Sequence, residues 1–333
     1  MGQTLSEPIT EKHSSSDEDE RIAYGASAMQ GWRISMEDAH TTILKMGGPE
    51  AGKHISFFAV YDGHGGSNVA RYSGQKVHGR VAQEEAYGKE DYAVALKAGF
   101  LGTDVDLRAD ENFQMDPSGC TAVAAIITDD WRIFVANAGD SRAVLSGNGT
   151  AVPLSFDHKP VNPEESQRIV AAGGFVEFGR VNGNLALSRA IGDFEFKQNS
   201  NLPPEQQIVT ANPDVTERKL EDTDEFVVIA CDGIWDCMSN QEVIDFVRQK
   251  IAEGTDLPQI CEQLMDHCLA PDSELGGVGC DNMTVVIAAL LKGKSKKEWA
   301  EGIAAKVPLA NGVDGAAAGK GSVEKESTVS DAS

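Results

Sequence analysis

Four short apolar runs, each abutting an aspartate, constrain the fold of this chain more than any other feature. Phe57-Phe58-Ala59-Val60-Tyr61 leads into Asp62-Gly63-His64-Gly65-Gly66, Phe134-Val135-Ala136-Asn137-Ala138 into Gly139-Asp140, and Phe226-Val227-Val228-Ile229-Ala230 into Cys231-Asp232-Gly233. In Asp281-Asn282-Met283-Thr284-Val285-Val286-Ile287 the acid comes first. The runs are too short for helices and rich in aromatic and β-branched residues, so they read as strands. In an antiparallel sheet the end of one strand lies beside the start of its neighbour, so Asp232 and Asp281 can share one rim. Asp62-Gly63 alone is an ordinary turn signal. Four acids at one sheet edge, however, repel each other strongly without a cation between them.

With 333 residues and 41% hydrophobic composition, the chain can bury a full core and is most simply one large domain with flexible ends. The net charge of −23 argues against nucleic acid and against anionic lipid as partners. No secretory signal precedes the domain, and stretches such as Met283–Leu291 fall short of the roughly 20 residues that span a bilayer. The expected localisation is cytoplasm, nucleus or both. The six cysteines lack the paired spacings of a zinc cluster and read as reduced core thiols. Met1-Gly2-Gln3-Thr4-Leu5-Ser6 fits an N-myristoylation pattern on Gly2. One acyl chain without a basic second signal gives at most weak, reversible membrane contact.

Residues 1–20, with the acidic run Asp17-Glu18-Asp19-Glu20, read as a disordered arm, and residues 293–333 as a disordered low-complexity tail. The domain occupies residues 21–292. Helices are expected near Ser67–Val81, Tyr92–Ala109, Glu164–Ala172, Gln241–Ala252 and Leu257–Leu269. Asn162-Pro163-Glu164-Glu165 supplies a cap, a first-turn proline and acids for the dipole, while Ser239 and Glu242 form a capping-box pattern. Clustered strands with segregated helices indicate an α+β sandwich covered by helices, not a doubly wound parallel sheet.

Arg33 and Glu37 lie four apart in Arg33-Ile34-Ser35-Met36-Glu37-Asp38, so a cation at Glu37 and an anion at Arg33 can be neighbours. Read alone, the pair is a surface ion pair. Glu37, Asp62, Asp140, Asp232 and Asp281 together form an all-oxygen set that suits Mg²⁺ or Mn²⁺ better than zinc. Further motifs are Ser118-Gly119-Cys120-Thr121-Ala122, Asn137-Ala138-Gly139-Asp140-Ser141-Arg142, Asp157-His158-Lys159-Pro160, the segment Arg180–Asp193, Cys231-Asp232-Gly233-Ile234-Trp235-Asp236 and Gly279-Cys280-Asp281-Asn282-Met283-Thr284. In this order, over about residues 22 to 291, they resemble the metal-dependent protein phosphatases of type 2C, in a fungal-like member.

The resemblance implies a four-layer α-β-β-α fold, an antiparallel β-sandwich flanked by helices on both sides, with a dinuclear metal site at the sheet edge. It implies that Asp62 bridges both ions, that Glu37 and the Gly63 carbonyl help hold one, and that Asp232 and Asp281 hold the other. Asp38 would orient the attacking water, and Asp140 with Asp236 would hold a weaker third ion. The activity implied is hydrolysis of phosphoserine and phosphothreonine in proteins by direct attack of a metal-bridging water. Arg33 would grip the phosphate through its planar fork, and His64 would protonate the leaving alkoxide. Expected partners are phosphorylated proteins, stress-pathway kinases among them, and the expected state is a monomer. Arg180, Arg189 and Asn182 would lie beside the cleft, where substrate choice, loop and packing roles stand open.

Other phosphatase chemistries fail in the sequence. No cysteine is followed six positions later by arginine, and Asp104-Val105-Asp106 carries Arg108 where an aspartyl-phosphate motif needs a small hydroxyl or β-branched residue. Gly47 through Lys53 nearly makes a Walker loop but ends on His54 instead of Ser or Thr. The remaining alternative is a catalytically silent phosphatase-like module that binds phosphoproteins.

Overall fold

The computed structural model describes residues 4–47, 53–273 and 277–307. Its main strands, in chain order, are β1 (Thr4–Glu18), β2 (Ile22–Arg33), β3 (Ala39–Ile43), β4 (Ser56–Tyr61), β5 (Ala122–Ile127), β6 (Arg132–Ala138), β7 (Arg142–Gly147), β8 (Thr150–Pro153), β9 (Asp214–Lys219), β10 (Asp224–Ala230) and β11 (Met283–Leu290). The main helices are α1 (Asn68–Gln83), α2 (Tyr92–Ala109), α3 (Pro163–Ala171), α4 (Asn240–Ala252), α5 (Leu257–Cys268) and α6 (Lys296–Ala304). One sheet runs β1-β2-β11-β10-β7-β8 and the other β9-β6-β5-β4-β3, with antiparallel pairing throughout both.

The strands read as unbroken apolar runs because both of their faces are covered. In β10, Val227 and Ile229 point between the sheets with Val286 and Ala288 of β11 and Phe58 and Val60 of β4. Phe226, Val228 and Ala230 point the other way, against Val243, Ile244 and Val247 of α4 and Ile260 and Leu264 of α5. Phe57, Ala59 and Tyr61 likewise face Val77 and Val81 of α1 and Leu96 and Phe100 of α2. Two-residue alternation thus feeds a central core and two outer ones, which makes four layers. The expected α-β-β-α fold is the one formed.

Two expectations about the ends are corrected. Residues 4–18 are an edge strand: Thr4 pairs with Arg33 and Glu18 with Ala23. Lys12 meets Asp266 of α5 at 2.6 Å, and the Ser14 hydroxyl donates to Glu262 at 2.5 Å. The segment is polar because side chains on an edge strand meet water, while the main-chain ladder, invisible to composition, holds it in the sheet. At the other end, residues 296–304 form a helix started by a capping box of Ser295 and Glu298, and Trp299 is buried with its Nε1 donating to the Glu225 carbonyl at 2.9 Å. Residues 308–333, Gly2 and most of the near-Walker segment lie outside the described residues.

The expected helices form within a few residues of their anticipated ends. The Ser239–Glu242 capping box is made in full. Asn162 stands at the N-cap of α3, but its side chain does not cap; Nδ2 donates instead to the Asp157 carbonyl at 3.0 Å.

Candidate metal centre

Register carries the scattered acids to one end of the sandwich. Ala230 of β10 pairs with Val285 of β11 and with Arg142 of β7, so Asp232, Asp281 and Asp140 emerge side by side. In the second sheet Val60 pairs with Val123, and Ala122 with Ala138, which brings Asp62 to the same rim. The loop between β2 and β3 brings in Glu37 and Asp38. A cleft of about 760 Å³ at this rim is lined by Arg33, Asp62, His64, Asp140, Asp232, Asp236 and Asp281, with Glu37 and Asp38 outside its lining.

Side chains with no place among the acids fix this rim. Asn282, buried at the start of β11, accepts from the Glu37 N–H at 2.9 Å and donates to the carbonyls of Gln30 and Ser35 at 2.8 and 2.9 Å. It thereby clamps the Arg33–Asp38 loop to the strand carrying Asp281. The Gly66 N–H and the Ser35 hydroxyl each donate to Glu37, at 3.1 and 2.8 Å. Thr121 N–H donates to the Asp62 carbonyl at 2.8 Å. A Cβ at Gly63 would stand 2.2 Å from the Glu37 carbonyl, so the close approach of these two segments requires glycine there.

The electrostatics record the crowding. Burial, then Asp232, Asp38, Asp140 and Asp281, push the Asp62 carboxyl well above the usual range. Burial, then Asp140, Asp281 and Asp236, do the same to Asp232. Burial raises Asp140 and Asp281 against the opposing pull of Lys159 and Arg33, their ion-pair partners. Asp38, buried and bonded through Oδ2 to the Thr284 hydroxyl at 2.7 Å, is pushed up to about 6 by burial. Its Oδ1 is buried without a hydrogen-bond partner. Burial pulls the His64 imidazole down, but Asp193, by charge and hydrogen bond, with Asp140 and Glu37 beyond it, more than offsets this, and the net shift is upward.

These groups fit a hard divalent cation: every donor is an oxygen, the carboxylates raise one another's cost, and a buried carboxylate oxygen stands unpartnered among them. Among the described residues no three of them close into a finished coordination shell. Arg33 stands on Asp281 and Lys159 on Asp140, each supplying part of the positive charge the cluster needs.

Of the anticipated residues, Arg33, Asp62, Gly63, His64, Asp140, Asp232, Asp236 and Asp281 line this one cleft, with Asp236 the exposed member. Glu37 and Asp38 stand beside it, Glu37 bonded to the Gly66 N–H and Asp38 acting on Asp62. Three contributors received no role from the sequence: Lys159, Asn282 and Asp193. Asp193 accepts from His64 Nε2 at 2.7 Å, and a Cβ at Gly119 would lie 2.1 Å from its Oδ2. All three sit inside recognisable motifs, which was the available signal. The three residues read as lying beside the cleft divide. Arg180 lines it. Asn182 Oδ1 accepts from the Phe175 N–H at 3.1 Å and shapes the loop. Arg189 is buried beneath, with Nη2 donating to Glu165 at 2.6 Å and Nη1 to Asp214 at 2.8 Å.

Comparison with known proteins identifies the family and the fold. The family profile described as Protein phosphatase 2C matches residues 22–275. Protein phosphatase 2C homolog 2 of Aspergillus flavus is 59% identical over 90% of this chain and 70% of its own length. Protein phosphatase 2C homolog 3 of Schizosaccharomyces pombe is 56% identical, covering 94% of this chain and 75% of its own. The crystal structure of a phosphatase from Toxoplasma gondii superposes with a TM-score of 0.70 at 26% identity, over 84% of this chain and 96% of that one. The silent alternative gains nothing from them. With its fold, its carboxylate rim and its relatives in agreement, this chain belongs to the protein phosphatase 2C family of metal-dependent protein serine/threonine phosphatases.

Proposed function

We propose that the centre holds two Mg²⁺ or Mn²⁺ ions through Glu37, Asp62, the Gly63 carbonyl, Asp232 and Asp281, with a weaker third ion at Asp140 and Asp236, and that the chain hydrolyses phosphoserine and phosphothreonine in proteins as a monomer. The crowding of Asp62, Asp232, Asp140 and Asp281 at one rim carries this reading, because a bound cation is what offsets like charges held this close. Bound divalent cations supply a nucleophile at neutral pH by lowering the pKa of water, and they offset charge on phosphoryl oxygens.

The side chains of the chain do the rest. Arg33 donates one of its five N–H groups to Asp281, which leaves the others of its planar fork to grip two oxygens of an incoming phosphoryl group. Asp38, its Oδ2 anchored by Thr284, keeps an unpartnered Oδ1 that can accept a hydrogen bond from the attacking water and so orient it. His64, held by Asp193 and shifted toward its protonated form by its acidic neighbours, is the group placed to donate a proton to the departing serine or threonine oxygen. Arg180, at the cleft margin, meets the protein around the phosphorylated residue.

Hydrolysis of a phosphothreonine peptide with Mg²⁺ or Mn²⁺, with and without chelator, tests the reading, and native mass spectrometry counts the ions. Turnover that survives chelation, or a single bound ion, would overturn it.

A further inference from the structure

The end of α5 touches three segments that deliver side chains to the metal centre. The Ala270 N–H donates to the Gly279 carbonyl at 2.9 Å, two residues before Asp281. The Ala270 carbonyl accepts from Trp32 Nε1 at 2.9 Å, next to Arg33. The thiol of Cys237, next to Asp236, lies 3.5 Å from the Cys268 carbonyl. A shift of this helix end is therefore felt at Asp236, Asp281 and Arg33 together.

Cys237 and Cys268 face each other in that junction. The Cys237 thiol lies against Cys268 at its carbonyl, and Cys237 Sγ also donates to the Gly233 carbonyl at 3.2 Å. Cys237 is half-buried, so a small oxidant reaches it, while Cys268 is 6% exposed and screened from solvent. The other cysteines are differently placed: Cys120, Cys231 and Cys261 are fully buried, Cys231 Sγ accepts from the Thr284 N–H at 3.2 Å, and Cys280 Sγ points to the Asp272 carbonyl at 3.7 Å. One reachable thiol beside one sheltered thiol is the arrangement of an attacking and a resolving cysteine.

We propose that Cys237 and Cys268 are an oxidisable pair whose disulfide disables the neighbouring metal centre. The oxidant is hydrogen peroxide. Cys237 sulfur attacks a peroxide oxygen, the O–O bond breaks, and water leaves with the thiol proton, which produces a sulfenic acid. Cys268 sulfur then attacks the sulfenic sulfur, the S–O bond breaks, and hydroxide leaves as water with the second thiol proton. Two thiols lose two electrons to one peroxide, giving one disulfide and two waters. Drawing the sulfurs to bonding distance pulls the end of α5 against the Asp236 and Gly279–Asp281 backbones. Because those backbones aim the centre's carboxylates, activity falls; disturbing the groups that orient metal ligands typically costs about 10- to 100-fold.

The effect on catalysis rests on the proposed centre, but the linkage does not, and two readouts separate them. The full chain is treated with hydrogen peroxide under native conditions in Mg²⁺, then alkylated and mapped by mass spectrometry, and phosphopeptide hydrolysis is followed in parallel. The expected result is a Cys237–Cys268 linked peptide, a loss of about tenfold or more in turnover and recovery with dithiothreitol. Cys237→Ser should keep its activity through the same treatment. An unlinked pair, linkage with turnover unchanged, or equal loss in Cys237→Ser would overturn the proposal. If Cys237→Ser does not fold, Cys268→Ala takes its place, and the peptide map of the unaltered chain decides without either variant.

Discussion

His64 Nε2 lies 2.7 Å from Asp193 Oδ2, joining the turn after β4 to a buried carboxylate far along the chain. Asp193 is held at φ 51°, and Gly119 passes close beneath both groups. A non-glycine residue in the left-handed region costs on the order of 1 kcal/mol. A carboxylate aimed at the imidazole is the return on that strain. His64→Ala should keep metal binding and lose about 100-fold or more in turnover on alkyl phosphates, with a much smaller loss on an aryl phosphate whose leaving group needs no proton. Asp193→Asn should show the same leaving-group pattern with a smaller loss. Equal losses on both substrates, measured as kcat, would refute the acid role.

Asp62 sits where burial and four other carboxylates act against its charge. Asp62→Asn should abolish metal-dependent turnover and metal binding. It should also raise the metal-free melting temperature at neutral pH, since one of the repelling charges is gone; each 1 kcal/mol relieved is worth roughly 2–4 °C. Added Mg²⁺ should raise the melting temperature of the unaltered chain by mass action but not that of the variant. Calorimetry with and without Mg²⁺ reads both effects, and a variant less stable than the parent without metal would contradict the repulsion argument.

Gly63 has no room for a side chain, because the Glu37 carbonyl would lie 2.2 Å from its Cβ. Gly63→Ala should push the Arg33–Asp38 loop outward, cost about 1–3 kcal/mol in stability by urea unfolding, and lower metal affinity. Full affinity and stability in this variant would show that the loop approaches less closely than described.

Arg33 combines an ion pair to Asp281 with an open side toward the cleft. Arg33→Lys keeps the charge but not the fork, and should lower kcat/KM by about 10- to 100-fold, as expected for losing a charged hydrogen bond of about 1.5–3 kcal/mol. Metal affinity should change little. If lysine restored full efficiency in steady-state kinetics, a two-oxygen grip would be ruled out.

The ion-pair brace under the cleft margin sets an acid limit. Burial alone would raise Glu165, but hydrogen bonds and charges from Arg189 and Arg168 bring it down to about 2, and His158 and Arg189 hold Asp214 below its usual range. A depressed carboxyl stabilises the fold above its unfolded pKa, and that stability disappears as pH falls toward the folded value. For Glu165 the window runs from about 4.5 down to about 2, and at most about 3 kcal/mol is at stake. Glu165→Gln should be less stable than the parent at pH 6, with the difference shrinking through this window. A constant difference from pH 6 to pH 2, by chemical unfolding, would refute the assignment.

Much of this protein was legible before folding because its strands are covered on both faces. Runs such as Phe226–Ala230 are apolar at every position, so strand, burial and the following acid stand in a few adjacent residues. Side-chain chemistry also announced the all-oxygen donor set and the capped start of α4. The Thr4–Glu18 strand escaped notice because its attachment runs through backbone hydrogen bonds, which leave no trace in side-chain composition. The helix at 296–304 was obscured by the low-complexity residues beyond it, although Ser295, Glu298 and Trp299 carry its cap and anchor.

By itself, then, the sequence determined the apolar core strands, the acids that stand at their ends and the all-oxygen chemistry of those acids. Tertiary structure alone decided the pairings across long chain separations: His64 with Asp193, Asp140 with Lys159, Asn282 with the Arg33–Asp38 loop, and Cys237 with Cys268. The physical reason is one of range. Local propensity and periodicity act over a few residues, whereas the charge, hydrogen-bond partner and reactivity of a side chain depend on whichever distant segment the sheet register brings beside it.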